Sequence, residues 1–349
     1  MNKHIIESFN IKEETDKIQP IGSGHINDTY AITLKGHVSP SYILQRINHN
    51  IFPNIEKLSD NIYRATNHLE ENGNGQYQVM KLVNAIDGKL YHQSADGYYW
   101  RLFTHIPNSF SFDLAPSNNF AAEAGKAFGW FVRTLSDLNE PPLYEVIPGF
   151  HSLGLRITQL QLALEENIAD RAKGCKQELD FYLSRCSEML EFDDLIGTPE
   201  IPLRVTHNDT KINNVLFSSS GKAISIIDLD TVMPGVVHYD FGDAIRTIAA
   251  NALEDETRLE LVGINTELYK AFTEGFLGEM NSLLTSKERY YLPKSPRMMA
   301  YIMGIRFLAD YLRGDNYYKV KHSDHNIQRA RNQMVLIMDM EKKVKVMNF

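Results

Sequence analysis

The chain has 349 residues, 43% of them hydrophobic, enough to bury a sizeable core and to form about two domains or lobes. Its 36 basic and 44 acidic residues give a net charge of −8, with no basic cluster interleaved with aromatics, which argues against a nucleic-acid partner. Cys175 and Cys186 belong to no metal-type pair, the N-terminus has no secretory pattern, and no run approaches the roughly 20 apolar residues that cross a bilayer, so a soluble cytoplasmic protein with reduced thiols and no membrane partner is expected.

The first hundred residues alternate strand patterns with turn signals. Ile18 to Ile21 and Tyr30 to Leu34 flank Gly22-Ser23-Gly24-His25-Ile26-Asn27-Asp28-Thr29. Two strands around such a turn let backbone N–H groups approach phosphate oxygens without interference from Cβ atoms. Asn27 stands at the third glycine position of the usual G-x-G-x-x-G run and tolerates a left-handed backbone. An ordinary hairpin turn fits the same residues. Tyr42 to Ile47 alternates as a third strand, and Arg46, on the face of Leu44, is the candidate cation for nucleotide phosphates, with Gln45 in the way where a Lys is usual. A surface arginine on an edge strand reads equally well.

Asn54 to Glu71 repeats apolar residues at helical spacing, at Ile55, Leu58, Ile62, Ala65 and Leu69, with Asn54 as N-cap. Glu56 or Glu70 is a candidate partner for the strand cation. Two further strands are predicted over Gln76 to Val83 and Tyr98 to Ile106, with Asp87-Gly88 and Asp96-Gly97 as turns. The order β-β-β-α-β-β implies a small twisted antiparallel sheet with one helix. The last strand runs into a loop rich in Asn, Ser and Pro, and Phe103, Thr104 and Ile106 are candidates to line an adenine cleft there.

Helices are predicted over Asn119 to Leu138, His151 to Ala169 and Lys173 to Glu191. A short strand, Leu203 to Thr206, then leads into His207-Asn208-Asp209-Thr210-Lys211-Ile212-Asn213-Asn214, which reads H-x-D-x-K-x-x-N. That is the spacing of a phosphoryl-transfer loop, in which an Asp orients and deprotonates the attacking hydroxyl and an Asn five residues on holds a metal ion. Asp209 is therefore the candidate base and Asn214 a candidate metal ligand, with Lys211 placed to meet the charge of the migrating phosphoryl group.

Asp228 follows Asn214 by fourteen residues, at the end of a buried strand predicted over Ala223 to Ile227. Strand alternation would put Asp228 and Asp230 on one side, both facing one metal cluster. Asp240-Phe241-Gly242 imitates the metal-binding signature of protein kinases, but it lies twenty-six residues beyond Asn214, too far for a hairpin between loop and metal strand. Asp240 is expected instead to cap the following helix and to bond the backbone of the loop. From Asp255 to Phe349 the pattern is helical, with breaks near Gly263, Pro293 to Pro296 and Gly314, and Arg306 and Asp310, four apart, read as a surface ion pair.

These features resemble the aminoglycoside phosphotransferase and choline kinase-like superfamily. The glycine-rich stretch to Tyr30, Ile43 to Asn48, Thr206 to Leu216, Ile227 to Gly235, Tyr239 to Asp243, and Arg306-Phe307-Leu308 with Asp310-Tyr311-Leu312 are similar to N-acetylhexosamine 1-kinases across nearly the whole chain. The resemblance implies an α+β, two-lobed protein-kinase-like fold. It has a small antiparallel-sheet N-lobe (1–107) that binds nucleotide and a larger, mainly helical C-lobe (108–349) that carries catalysis and substrate. It implies ATP with Mg2+ and transfer of the γ-phosphoryl to the anomeric hydroxyl of N-acetylglucosamine or N-acetylgalactosamine by a monomer. Asp209 is then the base, Asn214 and Asp228 are metal ligands, and the loop of Gly22, Ser23 and Gly24 covers the phosphates. His25, Arg306 and Tyr311 are the candidate sugar contacts. Two alternatives are a kinase of the same superfamily acting on choline, homoserine or an aminoglycoside, and a catalytically silent nucleotide-binding scaffold.

Overall fold

In the structure, a computed structural model, residues 3–21, 26–138, 140–191 and 193–348 are described. The glycine-turn residues Gly22, Ser23, Gly24 and His25 lie outside them. The elements in chain order are α1 (Lys3–Ile6), β1 (Thr15–Pro20), β2 (Asp28–Leu34), β3 (Tyr42–Ile47), α2 (Ile55–Asn72), β4 (Leu82–Val83), β5 (His92–Gln93) and β6 (Tyr99–Thr104). Then follow α3 (Asn118–Thr134), α4 (Leu153–Glu166), α5 (Lys176–Leu183), α6 (Cys186–Met189), β7 (Arg204–Thr206), β8 (Val215–Phe217), β9 (Ala223–Ile226) and β10 (Met233–Gly235). The chain closes with α7 (Val237–Ile248), α8 (Thr266–Met280), α9 (Ser286–Tyr291), α10 (Ser295–Leu312), α11 (His325–Lys342) and α12 (Val344–Met347). This is the expected α+β arrangement, an antiparallel sheet toward the N-terminus and helices after it. Contacts divide it into one unit of Met1–Phe110, Thr134–Pro148 and Val215–Pro234 and another of Ser111–Arg133, Gly149–Asn214 and Gly235–Phe349.

In the first unit the sheet runs β1-β2-β3-β6-β4, with β5 also paired to β6. Side chains alternate between its faces. Ile32, Leu44, Trp100 and Leu102 share a core with Ile5, Ile6 and Phe9 from the N-terminal segment. Gln45 stands opposite Arg101 in the register and so takes the other face. The α2 helix forms where its apolar spacing predicts, capped by Asn54, whose side chain accepts from the Lys57 N–H at 2.9 Å. Ile55, Leu58, Ile62, Ala65 and Leu69 are all buried, and each large aliphatic side chain so buried contributes about 1.5–3 kcal/mol. The strand expected over Gln76 to Val83 shrinks to Leu82–Val83, because the Gln78 N–H is taken by Ile224 O at 2.8 Å.

The second unit is helical around α10, which packs against α4, α7 and α11. Gly242 lets α7 lie on α10, since a Cβ there would stand 2.5 Å from Ser295 O. The glycine of Asp240-Phe241-Gly242 is thus required by packing. The single helix expected over Lys173 to Glu191 is broken into α5 and α6. At the break, Ser184 Oγ and the Arg185 guanidinium both bond Phe181 O and compete with the helical backbone for that acceptor. No described helix is long and apolar enough to cross a membrane.

Candidate active site

Within the second unit, β7 delivers the chain into the loop, and two buried features fix its path. His207 is packed edge-on between Phe128 and Phe131, each ring centroid 5.6 Å away. Asn208 then takes a left-handed conformation, with φ at 63°. Asp240 holds that turn: its two carboxylate oxygens accept from His207 N at 2.8 Å and Asn208 N at 2.7 Å. The expectation that Asp240 bonds the loop backbone is met, but it is not the helix cap. The N-cap of α7 is Val236, and Asp240 sits one turn inside. Burial pushes the Asp240 carboxyl up to about 7, against the pull of the two N–H donors. Gly235 lets the neighbouring chain pass, since a Cβ would lie 2.3 Å from Thr206 Oγ1.

Asp209, Lys211 and Asn214 come together on this frame. Lys211 Nζ lies 3.1 Å from Asp209 Oδ1, and Asn214 Nδ2 donates to Asp209 O at 2.8 Å and to Oδ2 at 3.2 Å. Burial works against an ionised Asp209, yet the charges of Lys211 and His207 hold its pKa below the usual carboxylate value. Asp209 in turn raises the pKa of Lys211. At neutral pH the loop therefore presents a carboxylate beside an ammonium. With its amide nitrogen engaged, Asn214 retains Oδ1, a hard oxygen of the type magnesium takes. Behind the loop, Thr210 N donates to Asp243 at 3.0 Å, and Asp243 is bound by Arg246 at 2.6 Å.

In the first unit the strand argument for Asp228 and Asp230 fails. β9 ends at Ile226, Asp228 adopts a left-handed conformation (φ 61°), and Asp230 lies in the 3-10 turn Leu229–Thr231. Alternation no longer relates the two carboxylates. Asp230 is 4% exposed, with Oδ1 2.5 Å from Arg101 Nη1 and Oδ2 accepting from Asn27 Nδ2 at 2.6 Å. The Arg101 guanidinium also donates to Gln45 Oε1 at 2.9 and 2.7 Å. Arg46 lies on the opposite face of β3, paired across the sheet with Asp28 and set 4.7 Å over the Tyr98 ring. Neither candidate glutamate meets either arginine, and Glu70 pairs with Lys81. Phe103 and Ile106 are buried. The N–H groups of Thr104 and His105 go to Lys81 O and Ser41 O, at 2.9 and 3.0 Å. Among the described residues the Ile106 N–H carries no hydrogen bond.

A cavity of about 330 Å³ opens in the second unit, lined by Arg156, Arg306, Asp310, Arg313, Tyr317 and Tyr318 among others. It adjoins the loop through a short relay. The His151 Nε2–H donates to Asn208 O at 2.9 Å, the His151 ring lies 4.3 Å from that of Phe150, and the Arg306 guanidinium lies 5.0 Å over Phe150. Burial, then the charge of Arg306, lowers His151 to about 3, so this imidazole is a neutral strut. The ion pair expected between Arg306 and Asp310 gives way to another arrangement. Asp310 accepts from Asn316 N, Tyr317 N and Tyr318 N at 3.0, 2.8 and 3.0 Å and from Asn326 Nδ2 at 2.9 Å, because only a carboxylate serves so many donors where the chain turns after α10. Arg306 instead faces Tyr317 and Tyr318, at 5.8 and 5.7 Å. Tyr311 lies apart from the cavity, its ring under Arg171 at 4.5 Å.

Residues 17–272 match the family described as "Phosphotransferase enzyme family". The chain belongs to that family. Its fold is also similar to solved structures of low identity. An aminopropanol kinase associated with a microcompartment matches at 15% identity and TM-score 0.59 over 99% of this chain and 97% of that one. An aminoglycoside phosphotransferase from Alicyclobacillus acidocaldarius matches at 13% and 0.61, over 97% and 95%. A choline kinase from Cryptosporidium parvum matches at 13% and 0.58, over 94% and 90%.

The kinase-like fold expected from the sequence is thus that of these phosphotransferases. Several residues that stand out in one unit or the other carry no clear signal in the sequence. Arg101 lies inside the strand expected over Tyr98 to Ile106, but only the register that places it opposite Gln45 distinguishes it from Arg46. Arg156 lies in a helix whose leucines drew the attention. Tyr317 and Tyr318 did carry a signal, two adjacent aromatics just after the Gly314-Asp315 turn.

Proposed function

We propose that this phosphotransferase uses ATP to phosphorylate the anomeric hydroxyl of an N-acetylhexosamine, giving the sugar 1-phosphate. The observation that carries the choice of acceptor is the charge of the cavity beside the loop. Three arginines line it, and its one carboxylate, Asp310, is saturated by four N–H donors. Burial, and after it the charge of Arg306, lowers Arg156 to about 10. Choline, aminoglycosides and aminopropanol, the substrate types named for structural neighbours, are cations, and a cation needs carboxylates or uncommitted aromatic faces. A neutral polyol with an amide carbonyl suits guanidinium and phenol groups. The sequence resemblance to N-acetylhexosamine 1-kinases supports the same acceptor.

In this reading Asp209 orients the anomeric hydroxyl and takes its proton as the new O–P bond forms and the bond to the departing ADP breaks. The hydroxyl is more acidic than an ordinary alcohol, so a carboxylate held below its usual pKa still suffices. Lys211 meets the charge on the transferred group. Asn214 and Asp228 are the residues that would offer a hard oxygen to magnesium, which would neutralise phosphate charge when bound. The open Ile106 N–H is the natural donor to an adenine, with Phe103 beside it, while Thr104 is committed to Lys81. Arg306 is the main sugar contact, joined by Tyr317 in place of Tyr311.

Release of ADP from magnesium-ATP, measured with N-acetylglucosamine, N-acetylgalactosamine, glucose, choline, homoserine and kanamycin, tests the reading. Turnover selective for the two N-acetylhexosamines is expected. Faster turnover of choline or kanamycin would retain the phosphotransferase and discard the acceptor.

A further inference from the structure

The most heavily buried charge in the first unit is one that no phosphotransfer role yet uses. Arg101 is 1% exposed, so its guanidinium has no open face toward a ligand. Its charge is nonetheless paired. Gln45 on β3 accepts two of its N–H groups, and Asp230 supplies the opposite charge at 2.5 Å. Asp230 also accepts from Asn27 Nδ2 at 2.6 Å, and Asn27 Oδ1 accepts from the Asn48 N–H at 3.0 Å. One buried network therefore ties four segments: the exit of the glycine-rich turn, the end of β3, the middle of β6, and the turn directly after Asp228.

The backbone at Asp228 explains why such a tie matters. Its φ of 61° lies in the left-handed region, which Asp visits more readily than most residues but which still sets a sharp turn that its neighbours must hold. Asp230, two residues on, is the anchor of that turn. A carboxylate with one oxygen on an arginine and the other on an amide has little left to offer a metal ion.

We infer that Arg101, Asp230 and Asn27 form a positioning network that holds the turn carrying the Asp228 carboxylate against β3 and β6, Asp230 acting as counter-ion to Arg101 and not as a metal ligand. This rests on the kinase reading above and concerns how its nucleotide and magnesium are held.

The test is a double-mutant cycle with Arg101→Gln, Asp230→Asn and both together, read by calorimetric binding of magnesium-ATP across a magnesium titration, with melting temperature and acceptor KM alongside. Each single variant is expected to weaken magnesium-ATP binding about tenfold with acceptor KM unchanged, and the double to be no weaker than the worse single, a coupling of about 1.4 kcal/mol. Were either single variant unable to fold, Arg101→Lys keeps the charge but loses the fork to Gln45, and a severalfold weaker magnesium-ATP affinity with an unchanged far-ultraviolet spectrum is expected. Losses that multiply, with Asp230→Asn alone raising the magnesium requirement, would make Asp230 a ligand and overturn the inference. So would a lower melting temperature with unchanged nucleotide binding. A wild-type protein that binds no magnesium-ATP would contradict the kinase reading beneath it, a result the cycle separates from the other two.

Discussion

Arg101 and Arg306 are the same residue put to opposite uses. Arg101 is sealed in the sheet unit, its charge matched by Asp230 and its fork by Gln45. Arg306 borders a cavity in the helical unit with no carboxylate at salt-bridge distance among the described residues, and with three aromatic rings for neighbours. A buried charge that is fully paired has little left for a ligand, so it holds the scaffold. One that lacks its counter-charge beside an opening is, in the reading proposed above, the group left to meet a ligand. The acid four residues from Arg306 sharpens the contrast, because Asp310 spends its oxygens on the loop that carries Tyr317 and Tyr318.

The largest expected effect lies outside both arginines and sets the scale for them. Asp209→Asn should retain the fold and nucleotide binding and lower turnover by roughly a hundredfold or more, measured as ADP release. Next, Arg306→Ala should raise acceptor KM roughly tenfold to a hundredfold, as loss of a charged hydrogen bond does, with magnesium-ATP KM unchanged. An effect on ATP in place of acceptor would erase the distinction from Arg101. Asp240→Ala strands the His207 and Asn208 N–H groups, a cost of about 1–3 kcal/mol each, so melting temperature and turnover should fall together. An unchanged melting temperature would contradict its role.

The smallest effect concerns pH. Asp209 has a folded pKa below its ordinary value, so its proton is released more readily in the native state. The stability it contributes is present above the unfolded carboxylate pKa and is lost as pH falls through the lowered folded one. The acid limb that Asp209 contributes to the turnover profile should lie below the usual carboxylate range. Lys211→Ala removes the main favourable charge, and the acid limb of its pH profile should move upward. An unmoved limb would mean that Lys211 does not set the state of Asp209.

How much of this the sequence disclosed follows the range of the interactions involved. The α2 helix, its Asn54 cap and the strands of the sheet were legible because periodicity and capping are local. So was the loop, where Asp209, Lys211 and Asn214 are spaced by the chain itself and Asp240 was expected to bond it. Strand phase was not: Arg46 and Arg101 are equivalent until the register puts one beside Asp28 and the other beside Gln45. The pairing of Asp228 with Asp230 failed because the strand ends at Ile226, and nothing in the apolar run of 223–227 marks that stop. Tyr311 came with the family resemblance in the segment that also holds Arg306, whereas only the turn stitched by Asp310 shows Tyr317 beside the guanidinium.

The most direct test of the acceptor and its position is phosphorus NMR of the product formed from magnesium-ATP and N-acetylglucosamine. The account predicts a monoester signal coupled to the anomeric proton, absent with Asp209→Asn. A phosphate on the 6-hydroxyl, or no new phosphorus signal while another acceptor turns over, would contradict it.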